Sequence, residues 1–321
     1  MKPRLISDLE NDKRWGRNIL RASAFILLFI LLDLTISLFM QTGIERFYGL
    51  KGDASVLMIG HSHLMLAVDK PQLEQETGLK VAKYTREGVN MADRKIMAEH
   101  YFSTCSDKPK TVILSIDPWL FSGEGLSSNS WLLFLPFMNN KNVNDYIKTS
   151  AGSRFDYYRY KFIRSSRFNA LLLNASIRGW LGRWDNLKIG IVDTARYSDP
   201  ESLRNFRPIT FNSGLMNDFS STLRFLKKEN VQVILLNTPI WKPLIDAQRQ
   251  EYEKSMYLID SLAQKACPGA EIVDLVPQFS ADTRLFFDPI HMNPEGQRVV
   301  TEEVGKYLIG IRREAAGMGK K

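Results

Sequence analysis

The chain has 321 residues, of which 44% are hydrophobic and 24% charged, and a formal net charge of +8. This composition excludes a disordered chain and fits one large α/β domain with an insertion, or two small domains. The basic surplus suits anionic lipid or an anionic polymer; nucleic acid is not indicated, because the chain has no zinc-ligand spacing, no basic helix with heptads and no aromatic RNP-like strand.

Residues 22–40 (ASAFILLFILLDLTISLFM) carry one charge, Asp33, and match the roughly 20 residues needed to span a bilayer as a helix. The run exceeds the roughly 7–15 apolar residues of a signal peptide, and no small-x-small site follows it, so an uncleaved transmembrane helix is expected. Lys2, Arg4, Lys13, Arg14, Arg17 and Arg21 precede the span, whereas only Arg46 and Lys51 follow it closely. The bias places residues 1–21 in the cytoplasm and the remainder outside a bacterial-type cytoplasmic membrane. Asp33 then faces a partner helix or a polar cavity, or is an isolated tolerated carboxyl. Residues 41–53 read as a juxtamembrane linker.

Beyond the linker, strand-like and helix-like segments alternate. Residues 54–60 are a short apolar run ending in Gly60, a buried strand. Residues 71–78 read as a helix with Pro71 in its first turn and Gly78 as its stop. A second strand is expected over 79–84 and a helix over 90–105, with Asp93 in its first turn. Further strands are expected over 111–116, 231–236 and 271–275, and helices over 219–228, 245–265 and 294–311, the last with Asn293 as N-cap. Short apolar strands separated by helices predict a parallel sheet covered on both faces, the whole domain covering 54–321. Such sheets place ligand sites at the carboxyl ends of their strands, where Ser62, Asp117 and Asn237 stand.

Residues of about 122–215 interrupt the alternation and read as a largely helical insertion. Its Trp131–Met138 stretch and the aromatic, basic run from Arg154 to Trp184 suit a cap with a packed core and a solvated rim; a membrane-interface surface or a groove for a sugar polymer are the other readings. Asn174-Ala175-Ser176 matches a glycosylation acceptor, too common a pattern to carry weight. Cys105 and Cys267 are the only cysteines and could form one disulfide in an oxidising compartment, although nothing in the sequence shows that they meet.

Four histidines occur, at 61, 63, 100 and 291, and three of them fall in two short motifs. Gly60-His61-Ser62-His63 follows the first strand, and Asp288-Pro289-Ile290-His291 lies near the C-terminus. A serine hydroxyl needs a base to take its proton, and imidazole suits that task near neutrality. His291 is the candidate base. Asp288, three residues earlier, can fix its tautomer through a local turn that Pro289 favours. Read alone, Asp288-x-x-His291 is also compatible with a helix cap before Asn293-Pro294. His61 and His63 suit packing or capping, with substrate contact as a second reading for His63; Asp117 suits a crevice wall or a helix cap; His100 reads as structural.

The two motifs together resemble the first and last blocks of the SGNH/GDSL hydrolase superfamily, over residues of about 54–118 and 230–310. The resemblance implies a flavodoxin-like three-layer α/β/α sandwich, with Ser62 as nucleophile, His291 as base and Asp288 as orienting carboxylate. The second-block glycine would be Gly88, with Asn90 as a side-chain donor to the oxyanion. The sequence departs from the pattern in two places: Gly-His-Ser stands for Gly-Asp-Ser, and Ser115-Ile116-Asp117-Pro118 stands where Gly-x-Asn-Asp is expected. With its anchor, the chain is more similar to the membrane-bound branch that includes the alginate-acetylation proteins and the D-alanyl transfer protein of teichoic acids. That likeness implies acyl transfer to a cell-envelope polysaccharide beside a membrane-bound O-acyltransferase, with an acyl donor and the bilayer as further partners and no cofactor.

A carbohydrate esterase uses the same residues, and the triad does not separate hydrolysis from transfer. A metal hydrolase built on His61, His63, Asp288 and His291 is an alternative, since an His-x-His pair on a strand shares one face. The missing third block also leaves a non-catalytic anchored scaffold that binds a polymer or partner.

Overall fold

The computed structural model describes residues 3–123 and 130–315. Lys2 of the basic N-terminal cluster and residues 124–129 of the insertion lie outside the described residues. The first helix, α1 (Pro3–Tyr48), runs through the apolar span without a break. Its large apolar side chains from Trp15 to Phe39 are exposed, and Arg14–Tyr48 is long and apolar enough to cross a membrane. Residues 41–48, read above as linker, are its last turns. There Ile44, Phe47 and Tyr48 are buried against the domain, so the helix enters the domain rigidly.

β1 (Val56–Gly60) leads into a short helix, α2 (Ser62–Ala67), and then α3 (Lys70–Thr77). Asp69 caps α3, and Gly78 closes it in the left-handed conformation at φ 66°. β2 (Val81–Thr85) is followed by α4 (Met91–Thr104), and β3 (Thr111–Ile116) ends at Asp117. The insertion holds a 3₁₀ segment (Ser130–Phe137), α5 (Lys141–Ser150), α6 (Arg154–Phe162), a 3₁₀ turn (Arg164–Arg167), α7 (Ala170–Leu181) and α8 (Pro200–Phe206). The domain resumes with α9 (Ser213–Lys228), β4 (Gln232–Asn237), α10 (Lys242–Ala247), α11 (Arg249–Ala266), β5 (Glu271–Asp274) and α12 (Val276–Phe279). A small hairpin of β6 (Phe286–Asp288) and β7 (His291–Met292) precedes α13 (Pro294–Ala315).

The five long strands pair in parallel in the order β2-β1-β3-β4-β5. This is the flavodoxin-like order, whose switch point falls between β1 and β3. Alternate side chains feed two cores. Leu57, Ile59, Val112 and Leu235 pack with α4, α9, α11 and the end of α1. Met58, Ile113, Ile234 and Leu236 pack with α2, α3, α10 and α13 on the opposite face. The predicted three-layer α/β/α sandwich is therefore the observed one.

Two boundaries differ for tertiary reasons. The helix expected over 245–265 is broken at Gln248, whose side chain accepts from Ile209 N–H and donates to Arg207 C=O. α9 starts at Ser213, ahead of the expected 219, because Asn212 caps it. Both cysteines are free, Cys105 ending α4 and Cys267 ending α11.

The insertion is tied to α1. A Cβ on Gly179 of α7 would lie 1.8 Å from the Gly43 carbonyl oxygen of α1, so the two backbones meet with no room for a side chain. Trp180 Nε1 donates to Phe39 C=O at 3.0 Å and stacks on the Phe39 ring, and Trp184 Nε1 donates to Phe47 C=O at 3.1 Å. Deeper along α1, Asp33 accepts the backbone N–H groups of Arg164 and Ser165, each at 2.8 Å. Its partner is thus the turn between α6 and α7, not a separate helix. Phe155, Phe162, Leu171, Ile177 and Leu181 on these two helices remain exposed.

Candidate active site

Ser62 stands at the carboxyl end of β1 as the first residue of α2. His61 is the N-cap: its Nδ1 accepts the His63 backbone N–H at 3.2 Å. As a first-turn residue, Ser62 has a backbone N–H with no intrahelical acceptor. The β6–β7 hairpin brings the second motif to it, held by Trp241 N–H on the Pro289 carbonyl. Asp288 Oδ1 accepts the N–H groups of Ile290 and His291 at 3.0 and 2.9 Å, while Oδ2 lies 2.7 Å from His291 Nδ1. Nε2 of the same ring lies 2.9 Å from Ser62 Oγ. The hydrogen-bond pattern assigns the imidazole proton to Nδ1, donated to Asp288, which leaves the Nε2 lone pair to accept from Ser62. Burial raises the Asp288 pKa, but the His291 hydrogen bond and the backbone donors outweigh it and hold the carboxyl below its ordinary value. The helix-cap reading of Asp288 gives way to this role; Asn293 caps α13 instead.

Asp117, at the end of β3, is fully buried rather than on a crevice wall. Oδ1 accepts Trp119 N–H at 2.9 Å, and Oδ2 sits 2.8 Å from His61 Nε2 and 3.5 Å from an Arg94 Nη. Burial pushes the carboxyl up, yet His61, His63 and the Arg94 guanidinium overcome it and keep it well below the carboxylate range. Burial is also the main reason the His61 pKa falls to about 4, so His61 is neutral beside an ionised Asp117. His63 is buried as well, its pKa lowered first by burial. Its Nε2 accepts from Arg207 at 3.2 Å and its ring meets those of Trp119 and His291 edge-on. It supports the site from behind instead of lining it.

The open space in front of Ser62 has a volume of about 450 Å³, with Ser62, His291, Gly88, Trp119, Arg207 and Ile290 on its wall. Gly88 reaches it at φ 74°, a conformation that disfavours any side chain. Asn90 is placed otherwise: its Oδ1 caps α4 in a reciprocal capping box with Asp93. Asn237 does not reach the space either. By strand alternation it shares the face of Val233 and Leu235, and its Nδ2 donates to Asp274 at 3.0 Å. His100 is buried against Tyr84 and Phe137, as a structural residue.

Three residues here escaped the sequence. Trp119, two past the Asp117 strand end, was within reach of the strand-end argument. Arg94 on α4 and Arg207 after α8 carry no local signal, because only the fold turns them toward Asp117 and His63. The metal reading is corrected by the same geometry. His61, His63 and Asp117 are the grouping with metal-ligand donors, not the set the sequence offered, and two guanidinium groups lie beside it. Such a donor set repels a cation, and Asp288 and His291 are committed to Ser62.

Fold and site together define a flavodoxin-order sandwich with a serine–histidine–aspartate triad at its strand ends. No family model and no curated protein matches the chain. Among solved structures it is similar to a lipase/acylhydrolase from Enterococcus faecalis, with 12% identity, 79% of this chain and 95% of that one covered, and a TM-score of 0.39. A GDSL-like lipase from Bacteroides thetaiotaomicron gives 11%, 79%, 86% and 0.38 in the same order. An alpha/beta hydrolase enzyme from the metagenome of Lake Arreo, Spain, gives 15%, 82%, 99% and 0.39. Likenesses this distant carry no weight for the chemistry, which is argued from the site itself.

Proposed function

We propose that this chain is a membrane-anchored enzyme of the SGNH type, facing out of the cytoplasm, that moves an O-acyl group onto a cell-envelope polysaccharide through an acyl-Ser62 intermediate. The observation that carries the reading is the 2.9 Å contact of Ser62 Oγ with an His291 whose other nitrogen is held by Asp288 at 2.7 Å. In the first half-reaction Ser62 Oγ attacks the acyl carbonyl as its proton passes to His291 Nε2. The bond to the donor's oxygen then breaks, and that oxygen takes the proton from His291. In the second, an acceptor hydroxyl gives its proton to His291 and attacks the acyl-serine; the acyl bond to Ser62 Oγ breaks, and Oγ takes that proton back from His291. Backbone N–H groups at Ser62 and Gly88 are the candidate donors to the oxyanion. The exposed apolar length of α1 supports the anchor, and the basic residues before it support a cytoplasmic N-terminus. A membrane-bound O-acyltransferase would supply the acyl group on this reading.

Water as acceptor gives the alternative, a carbohydrate esterase, which the same three residues serve equally well. A fluorophosphonate probe is expected to label Ser62 in the full-length protein and to fail in Ser62→Ala and His291→Ala. Absence of labelling in the unaltered protein overturns the catalytic reading and leaves a polymer- or partner-binding scaffold. Loss of envelope acylation in a Ser62→Ala strain identifies the transferase, and a rise in acylation identifies the esterase.

A further inference from the structure

A second cavity, of about 210 Å³, opens where the end of α1, the carboxyl end of β2 and α7 converge. Arg86 is 8% exposed and its Nη1 has no hydrogen-bond partner among the described residues. Its guanidinium lies 5.7 Å from the centre of the Tyr48 ring, a contact that orients the charge without neutralising it. Arg178 lines the same cavity, over the Phe47 ring at 4.9 Å, held from behind by Asn186 Oδ1 and the Asp185 carbonyl. Two guanidinium groups on one small cavity, one of them buried and unsatisfied, make a strong positive field that only an anion relieves. The carboxylate on the wall, Glu87, is exposed, and Asp185 reaches Arg178 only at 3.8 Å from an exposed position.

The rest of the wall is apolar in one direction. Leu133 and Leu171 border the cavity, and Leu171 is 66% exposed at its rim. An anion with an apolar tail is therefore matched at both ends. The cavity also adjoins Ser62. Arg86 N–H donates to the Gly60 carbonyl at 3.1 Å, Met65 of α2 lies on its wall, and Glu87 borders it while the next residue, Gly88, borders the Ser62 space.

We propose that Arg86 and Arg178 form a binding site for the phosphate group of an anionic amphiphile whose tail leaves past Leu133 and Leu171. Its use as a substrate seat for Ser62 rests on the acyl-ester reading above, whereas phosphate binding does not. A forked guanidinium pairs with two phosphate oxygens, and the volume holds a headgroup rather than a water or two.

The test uses the full-length protein in maltoside micelles, titrated separately with short-chain phosphatidylglycerol and with inorganic phosphate, with melting temperature as readout. A saturable rise is expected, with apparent affinity weakened at least tenfold in Arg86→Gln and unchanged in Lys161→Gln, an exposed lysine of α6. A rise with the lipid alone assigns a lipid headgroup, and an equal rise with inorganic phosphate assigns a soluble phosphate ester. A rise of the same size in Arg86→Gln, or none with either probe, overturns the site. Without ligand, Arg86→Met is expected to melt no lower than the unaltered protein, because it removes an unpaired buried charge; a lower melting temperature gives Arg86 a purely structural role and also overturns the proposal. Fluorophosphonate labelling of Ser62 in the same samples reads the acyl chemistry independently of binding.

Discussion

His61 Nε2 lies 2.8 Å from Asp117 Oδ2, immediately beneath the residue that follows it, Ser62. Both side chains are buried, and the same carboxylate faces Arg94. The pair fixes the backbone from which the serine projects, so the departure of this chain from Gly-Asp-Ser has a physical counterpart in a buried histidine tied to the next strand end. Asp117→Asn would take from buried Arg94 the carboxylate it contacts, leaving only the more weakly coupled Asp93. Breaking a buried pair in this way costs about 3–5 kcal/mol. A urea titration of the variant is expected to show that loss with an unchanged slope, and equal midpoints for the two proteins would refute the network's role.

Acid should destabilise the domain before its carboxylates titrate. Burial lowers the pKa of His61 and of His100 from 6.5 to about 4. Both stay neutral in the native state while the unfolded chain takes up protons below pH 6.5, so stability is complete above that value and falls as pH drops toward about 4. Each histidine is worth about 2 kcal/mol between pH 7 and pH 5. The depressed pKa values of Asp117 and Asp288 act in the same direction, but only below the ordinary aspartate range. Unfolding midpoints at pH 7, 6 and 5 should decline steadily, and His100→Gln should flatten the slope by one proton. A flat profile would show that these rings protonate without cost.

Asp288→Asn keeps the shape of the β6–β7 hairpin but loses the charge that selects the Nδ1–H tautomer of His291. The equivalent change in other serine triads lowers turnover by about 10⁴. The expected result is a rate of probe labelling or ester cleavage down by that order with KM little altered. A variant within tenfold of the unaltered protein would remove Asp288 from the proposed triad.

Much of the sheet was legible because its strands are short apolar runs ending in Gly60, Asp117 or Asn237, a pattern set by burial on both faces. Ser62, Asp288 and His291 were legible because their chemistry is carried by residue type within two local motifs. Asn237 was misplaced because proximity to a strand end does not say which face a side chain takes. Arg207 and Arg94 were invisible because long side chains reach the site from elements distant in sequence. Gln248 broke a helix through bonds to residues 207 and 209, which no helical periodicity records.

The Asp33 pairing is the most direct probe of how α1 and the domain are joined. Its carboxylate is the acceptor for two backbone N–H groups at the start of the 3₁₀ turn between α6 and α7, at a level of α1 where the surrounding side chains are apolar. Asp33→Leu leaves those donors unsatisfied without crowding the turn, a loss of about 1–3 kcal/mol. Asp33→Asn keeps an acceptor oxygen and should fall between the two. α7 itself stays pinned to α1 by the Gly43–Gly179 approach, so the damage should be confined to the turn and α6. Limited trypsin digestion in nanodiscs, followed at Arg159, Lys161 and Arg164, is expected to speed up several-fold in Asp33→Leu while Ser62 labelling is retained. Cleavage at an unchanged rate would mean that the turn holds its place without Asp33, and that the carboxylate on α1 serves some other contact.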